Sequence, residues 1–111
     1  MSAVTIRSGD LLILDPAESR VVQFDWDADN LASAVTISTS TFTITAITQS
    51  GATALTKDNP SILTGSRKTQ VRLIATTATA GDLYELANTI TTGESPTQTK
   101  EQSIQVRIQN K

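Results

Sequence analysis

The hexamer DWDADN, residues 25–30, places Asp25, Asp27 and Asp29 at the alternating spacing of the first ligands in a calcium loop. The rest of that pattern is missing. Asn30 stands where the sharp turn needs glycine, and Thr36 stands where a bidentate glutamate belongs. A strand running into a polar loop, with Asp29 or Asn30 capping a short turn, accounts for the same residues. The chain has no histidine, which removes the commonest general base and imidazole metal ligands together. Serines and threonines abound, but none has an identifiable base beside it, and a hydroxyl without one is a weak nucleophile. Carboxylates alone can run glycoside hydrolysis, yet no pair stands apart from ordinary surface acids, so a carboxylate hydrolase built on Asp25 or Asp27 is the least supported class. No glycine-rich phosphate cradle is present, and the aromatics are too few for a stacking platform. The expectation is a protein that is not an enzyme, with no catalytic, metal or cofactor residues.

Composition points the same way. The chain has 111 residues, enough for one core, with 38% hydrophobic and 18% charged residues. Roughly one residue in six is threonine, whose β-branch suits a pleated, half-buried surface. A net charge of −2 and a pI near 4.9 argue against nucleic acid as a partner. The only basic pair, Arg67-Lys68, reads as a solvated turn. No apolar run is long enough to span a bilayer, so no membrane partner is expected. MSAVTIRSGDLLILDP lacks the basic head and sustained apolar segment of a secretory signal. The absence of cysteine excludes disulfides and suits assembly in a reducing cytoplasm. Residues 1–50 carry a net −4 and residues 51–111 a net +2, an asymmetry that either favours head-to-tail contacts between copies or vanishes once the strands interleave.

The elements that must position these residues are strands. LLIL at 11–14 is a short apolar run stopped by Asp15-Pro16. In SRVVQFDWD, Val22, Phe24 and Trp26 share one face while Gln23 and Asp25 take the other. AVTISTSTFTITAI carries Val35 and Ile37 on odd positions but Phe42 and Ile44 on even ones, so a bulge is expected near Thr39–Thr41. Residues 49–61 read as turn, short strand and turn, with Gly51 and Asp58-Asn59-Pro60 as punctuation. KTQVRLIATT aligns Val71, Leu73 and Ala75; DLYELANTI aligns Tyr84, Leu86, Asn88 and Ile90. Gly93-Glu94-Ser95-Pro96 breaks the chain before EQSIQVRIQN, where Ile104, Val106 and Ile108 face in and Ser103, Gln105 and Arg107 face out. Helical periodicity is confined to about a turn, at ESRVV or NLASA.

About seven strands in this length fit an all-β, immunoglobulin-like antiparallel β-sandwich. Residues 11–111 form the single domain, and residues 1–10, with little core character beyond Val4 and Ile6, an N-terminal arm or edge segment. Such sandwiches often place a tyrosine at the start of the penultimate strand, its hydroxyl returning to the backbone just upstream. Asp82-Leu83-Tyr84-Glu85-Leu86 has that arrangement, with Leu86 where antibody domains put a cysteine. Tyr84 and Leu86, with Trp26, Phe24 and Phe42, are therefore the expected structural corner and core.

Taken in order, these landmarks resemble a family of small structural proteins of tailed bacteriophages. They are Asp15-Pro16, Asp25-Trp26, Ile37 through Ser40 to Phe42, Gly81 through Tyr84, Asn88 and Ile90 to Thr91-Thr92, and the closing strand Ser103 to Ile108. The likeness spans residues 11–109. It departs where the family tends to have tryptophan, here Phe42, and an arginine-bearing turn, here Gly93-Glu94-Ser95-Pro96. The resemblance implies an Ig-like virion component at the capsid surface, the head–tail junction or the tail, and it implies no catalytic residues.

The leading expectation is a non-enzymatic virion protein assembled in the host cytoplasm. It would act through contacts with other phage structural proteins and copies of itself. The alternative is an Ig-like binding module for a cell-surface glycan or protein, of tail-fibre or adhesin type; it would show aromatics on exposed loops.

Overall fold

Period-two alternation, interrupted by turn residues, divides the chain into strands, and the computed structural model shows eight of them among its described residues. Those residues are 4–6, 8–26, 35–50, 55–63, 67–76 and 78–110. In chain order the strands are β1 (Val4–Ile6), β2 (Leu11–Leu14), β3 (Ser19–Asp25), β4 (Ile37–Thr48), β5 (Thr56–Ile62), β6 (Lys68–Ile74), β7 (Leu83–Thr92) and β8 (Thr99–Ile108). They form two four-stranded sheets, ordered β1-β3-β6-β5 and β2-β8-β7-β4, which pack face to face. Apart from β2 this is the strand order of an immunoglobulin constant-type sandwich, ABED facing CFG, with β2 added outside β8.

The expected sandwich is present, with two differences in detail. The strands number eight because residues 4–6 pair with β3 at the edge of the first sheet, and Ile6 joins the core. The two N-terminal edge pairings, β1 with β3 and β2 with β8, are parallel, whereas every other pairing is antiparallel. Residues 8–10 turn the chain from one sheet to the other between these strands, so each meets its neighbour without a hairpin.

The parity switch in β4 is real, but it falls slightly earlier than expected. The register jumps between Ile37 and Thr39, which leaves Ser38 as the extra residue and lets both Ile37 and Phe42 face inward. A second jump, between Ala46 and Thr48, sets Ile47 on a bulge. Asp58-Asn59-Pro60, expected as a turn, instead lies inside β5 as an irregularity between Asp58 and Ser61, with Asn59 at φ 52°. β5 is an edge strand, where a proline sacrifices no ladder hydrogen bond. Of the two segments with helical character, ESRVV runs into extended β3 and NLASA lies outside the described residues.

The core is formed by the inward rows of both sheets. Val22 and Phe24 of β3 and Val71 and Leu73 of β6 face Leu86 and Ile90 of β7 and Ile104, Val106 and Ile108 of β8. Leu14, Trp26 and Tyr84 are also fully enclosed. Burying a side chain of this size stabilises by about 1.5–3 kcal/mol each, which makes these rows the main source of stability in a chain without disulfides.

Candidate functional site

The two sheets are joined by a buried polar cluster as well as by apolar packing. Trp26 follows β3, and its indole N–H donates to Asn88 Oδ1 at 3.0 Å and approaches Thr69 Oγ1 at 3.3 Å. The Thr69 hydroxyl of β6 donates to the same Asn88 oxygen. The Asn88 amide then donates to Ser40 Oγ at 2.9 Å and to the Thr41 carbonyl at 3.1 Å, both on β4. Trp26, Thr69 and Asn88 are fully buried, so each hydrogen bond satisfies a group that water cannot reach. This is interior fastening, and of its side chains only Ser40 is part-exposed. Phe24 and Phe42 close the space beside it with tilted rings, centroids 6.1 Å apart.

Tyr84 lies at the start of β7 with no exposed surface, and Leu86, two residues on, is equally buried. Ahead of them Gly81 has φ +98°, a backbone conformation that disfavours any side chain. Gly81 N–H donates to the Ile108 carbonyl, and Ile108 N–H donates to the Asp82 carbonyl, so the turn is tied to the end of β8. The Tyr84 hydroxyl lies 3.4 Å from Asp82 Oδ2, a long contact for a hydroxyl donor. Its backbone partner is the N–H of Leu55, the residue before β5, where a return just upstream was expected. Asp82 is itself buried and accepts from both the N–H and the hydroxyl of Ser50 through Oδ1. Burial pushes the Tyr84 hydroxyl above its ordinary pKa; the Leu55 N–H opposes this and the Asp82 carboxylate reinforces it. All five residues expected as corner and core are enclosed, and Phe42 is the most exposed of them at 6%.

The surface able to meet another molecule is the outward face of the β2-β8-β7-β4 sheet. Register pairing lines up Ile13, Arg107, Leu83 and Thr48 as one row across the four strands. The next row is Leu11, Gln105, Glu85 and Thr45. Beyond it the face carries the small residues Ser103, Ala87 and Thr43, then the exposed Glu101 with Thr89 and Thr41. Leu11, Ile13 and Ile47 are the exposed large hydrophobic residues among those described, at 49%, 36% and 50%. The bulge sets Ile47 beside Leu83, so all three lie at one end of one face. Arg107 and Glu85 stand exposed between them, and neither makes an ion pair among the described residues.

Sequence patterning missed this face because LLIL looks like a core strand. At a sheet edge only Leu14 of that run is buried. The available signal was Arg107, read as outward, but its neighbours follow only from the parallel β2–β8 pairing.

The remaining candidates are less suited to binding. Arg67 is half-buried and donates to the Val35 carbonyl, which corrects the expectation of a solvated turn: the guanidinium closes a chain crossing. Lys68 begins β6. Asp25 is half-buried at the end of β3, while Asp27 and Asp29 lie outside the described residues. An open depression of about 300 Å³ between β4 and β5 is lined by Ser40, Pro60, Ser61 and Ile62, none of which titrates.

Residues 14–107 match the model of the family described as podophage GP4 fiber-tail adaptor protein gp77. The chain belongs to this family. It is therefore a structural component of a phage tail, and of the virion. The resemblance to phage structural proteins holds at that level, and of the capsid, junction and tail positions it is the tail that the family supports. Among curated proteins, none matches the chain.

Proposed function

We propose that this protein is a non-enzymatic adaptor holding a fibre on a podophage tail by contacts with neighbouring tail proteins and with copies of itself. The observation that carries the proposal is the apolar strip on the outward β2-β8-β7-β4 face, set on a rigid sheet in a member of a fiber-tail adaptor family. A rigid, preorganised face binds without first having to order loops, which suits a joint that must transmit force. Nucleic acid has no place in this scheme, because the chain is net acidic and its one basic pair is partly occupied by the Arg67 contact.

The sandwich acts as a single domain in this scheme, with residues 4–6 as its edge segment and Tyr84 and Leu86 pinning the corner between the layers. The glycan-binding alternative loses support because all four aromatics, Phe24, Trp26, Phe42 and Tyr84, are buried. Stacking on a sugar ring needs an exposed aromatic face. The test is a phage carrying a nonsense codon in this reading frame, grown on a non-suppressing host. The expected particles have tails without fibres by electron microscopy, and complementation restores the fibres. Particles with a full set of fibres would overturn the adaptor role.

A further inference from the structure

The outward β2-β8-β7-β4 face has the charge arrangement of a surface that fits itself. Arg107 pairs with Leu83 across the β8–β7 ladder, and Glu85 pairs with Gln105 one row away. The two charges are thus diagonal neighbours on the same face, both exposed, and neither is engaged within the described residues. Ile13 and Leu83 flank Arg107 in its row, and Ile47 adjoins Leu83 from the bulge.

An isologous contact requires that each residue meet its complement under a two-fold rotation. Strands about 4.8 Å apart and same-face residues about 6.8 Å apart fix the positions. A two-fold axis lying in the plane of the interface, midway between Arg107 and Glu85, lays each charge against its opposite on the second copy. The same rotation sets Leu83 against Leu83 of the partner and keeps Ile47 beside it. The small Thr, Ser and Ala side chains of the neighbouring rows allow close approach without clashes. Three strands of ten residues or more carry this face over roughly 33 Å, and the four-residue β2 widens it to about 20 Å at the Arg107 end, where the two-fold lies. The overlap is centred on that end, which suits a reversible contact smaller than the standard interface of about 800 Å² per partner.

We infer that the outward face of the β2-β8-β7-β4 sheet is a self-association surface. Two copies dock face to face on it through reciprocal Arg107–Glu85 pairs around an apolar centre at Leu83 and Ile47. This rests on the contact with copies of itself proposed above and names its surface; fibre attachment is tested separately, by the nonsense-codon phage.

Sedimentation velocity over a concentration series of the full chain tests it. Wild type is expected to dimerise reversibly. R107E and E85R are each expected to weaken dimerisation roughly tenfold or more, because two attractive pairs become two repulsive ones. Both residues are exposed, and unchanged melting curves show that the variants remain folded. Two arms are specific to the reciprocal arrangement: the double variant R107E/E85R regains the dimer, and so does an equimolar mixture of the two single variants. A chain that stays monomeric at every concentration overturns the inference, as does a dimer indifferent to both reversals.

Discussion

Asn88→Leu tests whether the polar cluster holds the two sheets together or merely fills space between them. Leucine keeps the branching at Cγ but is bulkier, so overpacking adds to the loss and makes a small loss the more telling outcome. What changes is the hydrogen bonding. The Trp26 indole N–H loses its 3.0 Å acceptor and keeps only the longer 3.3 Å contact to Thr69. The Thr69 hydroxyl loses its acceptor, and the Thr41 carbonyl loses a donor at 3.1 Å. Ser40 is half-exposed and can turn to water. Two buried groups orphaned at about 1–3 kcal/mol each, partly relieved by rearrangement, give a loss of about 3 kcal/mol. Against a typical stability of about 5–15 kcal/mol that is a large fraction, and it lowers Tm by roughly 12 °C or more. Urea unfolding followed by fluorescence of the single Trp26 measures it directly. A cycle with Trp26→Phe, followed by circular dichroism because those variants lack the tryptophan, supplies the control: if the two residues act through their shared bond, the effects fall short of additivity by about 1 kcal/mol or more. A loss under about 1 kcal/mol, with additive effects, would refute the account.

Tyr84→Phe should destabilise by on the order of 1 kcal/mol, since the Leu55 N–H loses a buried partner; equal stability by urea titration rules out the corner role. Because burial raises the Tyr84 pKa above its ordinary value near 10, its contribution is complete below that pH and is lost as pH rises through the folded value. The absorbance of this single tyrosine should therefore titrate later in the native chain than in urea, and coincident curves would contradict the burial. Asp58 is bonded to Arg72 across β5–β6, which lowers its pKa from 3.8. Its small contribution is present above about pH 4 and fades as pH falls through the depressed value. Asp58→Asn and high salt should both flatten that acid limb, and an unaltered limb in the variant refutes the assignment. A Lys57→Val/Pro60→Val variant should aggregate faster at unchanged fold, by light scattering, because the charge and proline that protect the β5 edge are gone.

Much of the sandwich was legible because its physics is local. A strand with one face in a core must alternate, and Val22-Phe24-Trp26 and Ile104-Val106-Ile108 do so without ambiguity. What could not be read depends on which strand sits at an edge. Asp58-Asn59-Pro60 has turn chemistry, but at the β5 edge the missing proline donor is harmless, so the strand runs through it. LLIL has core composition, but as the last strand of its sheet β2 shows Leu11 and Ile13 to solvent. Asn88 was placed on the inward face correctly; its partners Thr69 and Ser40 come from strands 19 and 48 residues away, and no local pattern specifies them.

The Trp26–Thr69–Asn88–Ser40 cluster also bears on how β4 finds its place. Its outward residues Thr39, Thr41, Thr43 and Thr45 are chemically identical, so sliding β4 by two positions along β7 leaves that face almost unchanged. The inward side cannot tolerate the slide: Asn88 would lose Ser40 and the Thr41 carbonyl while staying in the interior. The outward face of this strand thus carries little positional information, and the inward one, Phe42 against Phe24 together with the carboxamide on the neighbouring strand, selects the alignment.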